Sequence, residues 1–153
     1  MVNLTIDRLP VSVKEGTTLM EAAESIGIHI PHLCYWKGLN EIAACRVCVV
    51  ELEGRDHLIT ACNTKVEEGM VVHTHTPNVL EARHTILDLI ISNHSKDCLT
   101  CTRSGNCELQ DLAIKFNVLD IDYKGERTEH KIDDDTGGAY GCQGLGSECF
   151  SYN

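Results

Sequence analysis

Four cysteines in the first half of the chain, Cys34, Cys45, Cys48 and Cys62, follow one another across gaps of 10, 2 and 13 residues. The Cys45-x-x-Cys48 pair is short enough to chelate one metal. Cys34 lies before it, and Cys62 returns from the far side of an expected hairpin. Soft thiolates of this kind take zinc or an iron–sulfur cluster. Structural zinc sites usually use two close pairs, whereas Cys34 and Cys62 are singletons. The loop Ile42-Ala43-Ala44-Cys45-Arg46-Val47-Cys48 is also small and apolar. Such a loop lets backbone N–H groups approach a cluster's sulfurs, where hydrogen bonds tune its potential. The spacing therefore favours a cluster and leaves zinc open.

A second set follows as His94-x3-Cys98-x2-Cys101-x5-Cys107. Three cysteines leave one corner of a cubane open, so a closed site needs a fourth ligand. A lone histidine near a helix end is more often a capping or surface group than a ligand. Cys142 and Cys149 in the tail are alternatives for that corner. They equally read as free thiols, a pair, or ligands of a metal shared with another chain.

Nine cysteines in 153 residues need a chemical reason. The N-terminus has no basic region followed by an apolar one, and no apolar run is long enough for a bilayer. A cytoplasmic setting is expected, where clustered cysteines read as metal sites more often than as disulfides. The formal charge of −10 argues against nucleic acid as a partner and suits docking to a basic protein face.

The elements that must hold these residues are legible in outline. Val2, Leu4 and Ile6 alternate, and Val11 and Val13 repeat the pattern beyond Arg8-Leu9-Pro10, as in a β-hairpin. Thr18 to Glu21 fits a capping box before a helix of Leu19, Ala22, Ala23 and Ile26, with Gly27 as its stop. A long loop carries Cys34. Strands are expected at Val47 to Leu52, Leu58 to Ala61 and Met70 to Thr74. Thr76-Pro77 opens a helix over 77–92, with Val79, Ala82, Ile86 and Ile90 on its apolar face and Leu80, Leu87 and Ile91 beside them. A loop holds His94, Cys98 and Cys101, and a helix from about Asn106 to Phe116 places Cys107 in its first turn, where the helix dipole favours a thiolate. Beyond Asn117 the chain is polar, with an Asp133–Asp135 run that does not fit a calcium loop and glycines that do not follow a strand.

Ile30-Pro31-His32-Leu33-Cys34-Tyr35-Trp36, Ala44-Cys45-Arg46-Val47-Cys48-Val49-Val50-Glu51 and Thr60-Ala61-Cys62 together resemble the 2Fe–2S domain that opens [FeFe]-hydrogenases. The same domain opens the large iron–sulfur subunit of complex I-type NADH dehydrogenases and the diaphorase subunits of bidirectional hydrogenases. Ser92 to Cys101 with Arg103 to Gln110 resembles that family's 4Fe–4S motif. The resemblance implies an α+β chain: a β-grasp 2Fe–2S ferredoxin domain over 1–76 and a small helical 4Fe–4S domain over 77–117; the polar, Asp- and Gly-rich tail over 118–153 lies outside it. It implies Cys34, Cys45, Cys48 and Cys62 as ligands of the 2Fe–2S cluster. It implies His94, Cys98, Cys101 and Cys107 as ligands of the 4Fe–4S cluster. A neutral imidazole in place of a thiolate removes one negative charge and should raise the potential.

The resemblance further implies an electron-relay subunit of a multi-subunit oxidoreductase, with a [FeFe]-hydrogenase-type or NADH-linked complex as the first expectation. Its partners would be a flavin- or NAD-binding subunit, a hydrogenase or other catalytic subunit, and a ferredoxin. No further ferredoxin cysteine run and no defensible nucleotide or flavin loop occurs, so no self-contained catalytic site is expected. A zinc-stabilised interaction module and an iron–sulfur redox sensor are the competing readings.

Overall fold

The computed structural model describes residues 1–94, 97–118 and 120–123, so the expectations for the polar tail, including Cys142 and Cys149, lie outside the described residues. Five strands, β1 (Val2–Ile6), β2 (Leu9–Val13), β3 (Val49–Leu52), β4 (Ile59–Thr60) and β5 (Val71–His73), form one sheet in the order β2-β1-β5-β3-β4. β1 and β5 run parallel, and the other pairs are antiparallel. The fold is α+β, a mixed sheet with three helices among the described residues: α1 (Leu19–Ser25), α2 (Pro77–Ser92) and α3 (Glu108–Lys115).

The hairpin turns on Asp7 and Arg8 alone, since Ile6 pairs with Leu9. Both turn residues have positive φ, 47° and 71°, as a two-residue hairpin of this twist requires. Pro10 therefore lies inside β2 rather than in the turn. It is tolerated because β2 is the sheet edge, where a missing N–H breaks no ladder. The strands are shorter than their apolar runs, because Val47, Cys48 and Ala61 leave the ladder to shape loops.

α1 begins with the expected capping box: Glu21 N–H donates to Thr18 Oγ1 at 3.3 Å, and Thr18 N–H donates to Glu21 Oε2 at 3.1 Å. Gly27, at φ 78°, closes the helix in the left-handed region. Two of the free N–H groups of the first turn are satisfied from outside: Leu19 donates to Thr64 and Met20 to Ala61. Leu19, Met20, Ala22 and Ala23 bury against Leu4, Ile6, Val50 and Val72 of the sheet to form the first core.

α2 starts at Pro77 with Thr76 as its cap, as the sequence suggests, but its buried stripe differs from the expected face. Val79, Arg83, Leu87 and Asp88 are buried, while Leu80 is exposed. Two ionisable residues thus occupy positions that pattern-reading assigns to solvent. A second core joins Val47 to Leu87, Leu112 and Val118, with Cys45, Ile91, Leu109 and Phe116 packed around it. α3 begins at Glu108, so Cys107 is its N-cap, in extended conformation, rather than a first-turn residue.

Candidate metal centres

The first set is assembled by three neighbouring pieces of backbone. Cys48 precedes β3, and its carbonyl accepts from Ala61 N–H at 3.0 Å, which fixes the approach of Cys62. The hydrogen bond from Met20 to Ala61 pins the same segment to α1. Cys34 and Cys45 belong to the loop between α1 and β3, which is tied back by Lys37, whose ammonium lies 2.5 Å from Glu21. Cys48 and Cys62 are buried, and Cys34 and Cys45 are half-buried. All seven cysteines among the described residues are free.

Ala43 and Arg46 have φ of 56° and 62°, a region that L-residues seldom adopt. These kinks flank Cys45 and direct main-chain donors at sulfur. Cys45 N–H donates to Cys34 Sγ at 3.4 Å. Burial tends to raise the Cys45 thiol pKa, but N–H groups of Val47 and Leu33, with Cys34, outweigh it and leave it lowered. Burial dominates at Cys34, which is raised, and at Cys62, which burial and then its neighbour Cys48 push up to about 12. Metal binding at such thiols displaces their protons and makes the site anionic. Thiols ringed by backbone N–H groups fit an iron–sulfur cluster, whose sulfurs accept such bonds.

The second set lines a cavity of about 230 Å³ between α2 and α3. His94, Cys98, Cys101 and Cys107 all face it, and Ile91, Leu109 and Ala113 supply apolar walls. His94 follows the C-terminus of α2, where its N–H donates to Ile91 O at 3.0 Å. Successive turns carry the two loop cysteines: Cys101 N–H donates to Cys98 O at 3.3 Å, and Arg103 N–H donates to Cys101 Sγ at 3.4 Å. The Cys107 side chain makes no capping bond and so is free for the cavity. Among the described residues no three His, Cys, Asp or Glu are arranged to hold a single metal ion. The second set instead surrounds a space, which suits a polynuclear group.

The two sets share a wall. Val47 lies between Cys45 and Cys48 and packs in the second core, while Ile91, Leu109, Ala113 and Val118 belong to that core and also line the cavity. Sequence reading missed the structural part of this arrangement, the buried Arg83, because a lone arginine within a helical pattern gives no signal of burial. Among the described residues no helix is long and apolar enough to cross a membrane.

The family profile of the 2Fe-2S iron-sulfur cluster binding domain matches residues 1–77, and that of the NADH-ubiquinone oxidoreductase-G iron-sulfur binding region matches residues 83–122. The chain is 47% identical to the NADP-reducing hydrogenase subunit HndD of Solidesulfovibrio fructosivorans, over 85% of this chain and 23% of that protein. It is 46% identical to an NADH-quinone oxidoreductase subunit of Rhizobium meliloti (strain 1021), over 76% of this chain and 14% of that protein. Among solved structures, an NAD+-reducing [NiFe]-hydrogenase in the H2-reduced state superposes with a TM-score of 0.79 at 28% identity, covering 87% of this chain and 56% of that one. The chain thus spans less than a quarter of the length of these two curated relatives. The matches bear out the two expected cofactors, a 2Fe–2S and a 4Fe–4S cluster. By the match over residues 1–77, the chain belongs to the 2Fe–2S iron–sulfur cluster binding domain family.

Proposed function

We propose that this chain relays single electrons inside a multi-subunit oxidoreductase of the hydrogenase or NADH-linked kind. The observation that carries the proposal is the shared core: one apolar wall, Val47 with Leu87, Ile91 and Leu109, touches both cysteine sets. Cys34, Cys45, Cys48 and Cys62 hold the 2Fe–2S cluster in a β-grasp unit over about 1–76, and the sheet packed on α1 supports that assignment. His94, Cys98, Cys101 and Cys107 hold the 4Fe–4S cluster in a helical unit over about 77–117.

When bound, such clusters take up and release one electron at a time. The chain's own residues do the rest. Backbone N–H groups at Cys34, Cys45 and Cys101 stabilise negative charge on sulfur. Burial of Cys48 and Cys62 keeps water from the inner edge of the first site. The half-exposed Cys34 and Cys45 leave its outer edge near the surface, where a redox partner reaches it. That partner is a flavin- or NAD-binding subunit, a ferredoxin or a hydrogenase-type catalytic subunit. A cytoplasmic setting, which keeps thiols reduced, suits the free cysteines.

The test is reduction of anaerobically purified chain, followed by electron paramagnetic resonance. Two spectroscopically distinct centres, reversibly reduced, are expected. Absence of any reducible centre in protein purified from its native complex would overturn the proposal.

A further inference from the structure

Arg83 is fully buried, 0% exposed, in the middle of α2. Its guanidinium donates to Val49 O at 2.7 Å and to Thr74 O at 3.0 Å, and its carbon lies 5.9 Å from the centre of the Phe116 ring. Among the described residues the buried Nε has no hydrogen-bond partner. Among the described residues no carboxylate forms an ion pair with it. Burial pulls its pKa down to about 10, which still leaves it charged at neutral pH.

A buried cation held only by carbonyls is costly and calls for a nearby anion. One carbonyl it grips belongs to Val49, the residue after Cys48; the other belongs to Thr74, whose N–H donates to Asp7 Oδ1 at 2.7 Å, so Asp7 and the Cys48 segment are the acidic neighbours on its two sides. We infer that Arg83 is a positioning and charge-tuning residue for the 2Fe–2S site, a fixed positive charge behind Cys48 that stabilises the reduced cluster. The inference rests on the ligand assignment proposed above.

The charge balance follows from chemistry. Two ferric irons, two sulfides and four thiolates carry a net double negative charge. One electron from an external one-electron reductant makes it triple, with one iron reduced to ferrous and no bond made or broken. A fixed cation in the interior interacts more strongly with the triply charged state. Between unit charges at roughly 10 Å and an effective dielectric constant of about 20, the preference is roughly tenfold.

The test is potentiometric titration of the full chain with both clusters bound, using dithionite and mediators and reading the 2Fe–2S resonance signal. Arg83→Gln and Arg83→Met remove the charge; Arg83→Lys keeps it. At the wild-type midpoint, the ratio of reduced to oxidised cluster should fall about tenfold in a neutral variant, a shift of about 59 mV to more negative potential. The Arg83→Lys ratio should stay within about twofold of wild type. A loaded neutral variant with the wild-type potential would overturn the inference, as would an Arg83→Lys variant displaced as far as the neutral ones. If neither neutral variant takes up the cluster, Arg83→Lys decides: the wild-type potential supports the role of charge, and a tenfold displacement refutes it. A wild-type chain without any 2Fe–2S signal would instead strike the proposed function, so the two failures are distinguishable.

Discussion

Leu87 is the side chain on which the joint between the two candidate sites depends. It is 0% exposed and packs with Val47, Leu112 and Val118, one from the first ligand loop and two from the region of α3. Leu87→Ala loses the transfer free energy of the buried side chain and leaves a cavity between α2 and α3. Val47 lies between Cys45 and Cys48, so a shift to fill the cavity would displace both cysteines. Buried leucine truncations cost about 2–5 kcal/mol, and a site that cannot collapse belongs in the middle of that range or above it. At about 3 kcal/mol, the melting midpoint of a unit of this size should fall by roughly 10 °C. Leu99, between Cys98 and Thr100, is 98% exposed and serves as the control. Leu99→Ala should change stability by less than about 0.5 kcal/mol, although it stands beside a candidate ligand. The assay is anaerobic thermal unfolding of the loaded protein, followed by circular dichroism and by visible absorbance of the clusters. Both signals should be lost together in Leu87→Ala. A Leu87→Ala midpoint equal to wild type, or equal shifts in the two variants, would refute the reasoning from the shared core.

The Glu21 carboxyl is held below its ordinary value of 4.5, first by the hydrogen bond from Lys37 and then by Thr18 N–H. Its folded pKa is depressed, so its contribution is present above the unfolded value and is lost as pH falls through the lower folded one. The difference in melting midpoint between wild type and Glu21→Gln should therefore hold from neutral pH into weak acid and shrink towards zero below that value. An undiminished difference at the acid end would count against the bond. Replacing His94 by cysteine adds one negative charge to the second site, so His94→Cys should lower the 4Fe–4S potential by on the order of 100 mV. An unchanged potential with full iron content would show that His94 is not a ligand.

Much of the fold was readable because local and global signals agree in it. The Thr18 capping box, the Thr76-Pro77 start of α2 and the alternation of Leu4 and Ile6 each express one mechanism, and each is found where it was expected. The departures have physical causes too. Pro10 reads as a breaker until the edge position of β2 is known. Arg83 and Asp88 lie outside the apolar face expected for α2, yet both are buried, and Asp88 Oδ2 accepts from Asp122 N–H at 3.2 Å, a partner 34 residues away. Cys107 reads as a first-turn residue of a helix expected from about Asn106, whereas α3 starts one residue after the cysteine itself. The eight candidate ligands rest on residue type and spacing joined to resemblance, and the cavity gathers four of them, His94, Cys98, Cys101 and Cys107, from separate turns of chain. The backbone kinks at Ala43 and Arg46 were not legible, because neither residue type announces a positive φ.

The central claim is that two clusters sit in one chain, and the most direct measurement is an anaerobic count of iron, acid-labile sulfide and zinc in natively produced protein. The account predicts about six irons and six sulfides per chain, two of each for the first site and four for the second. Stoichiometric zinc without sulfide would contradict it.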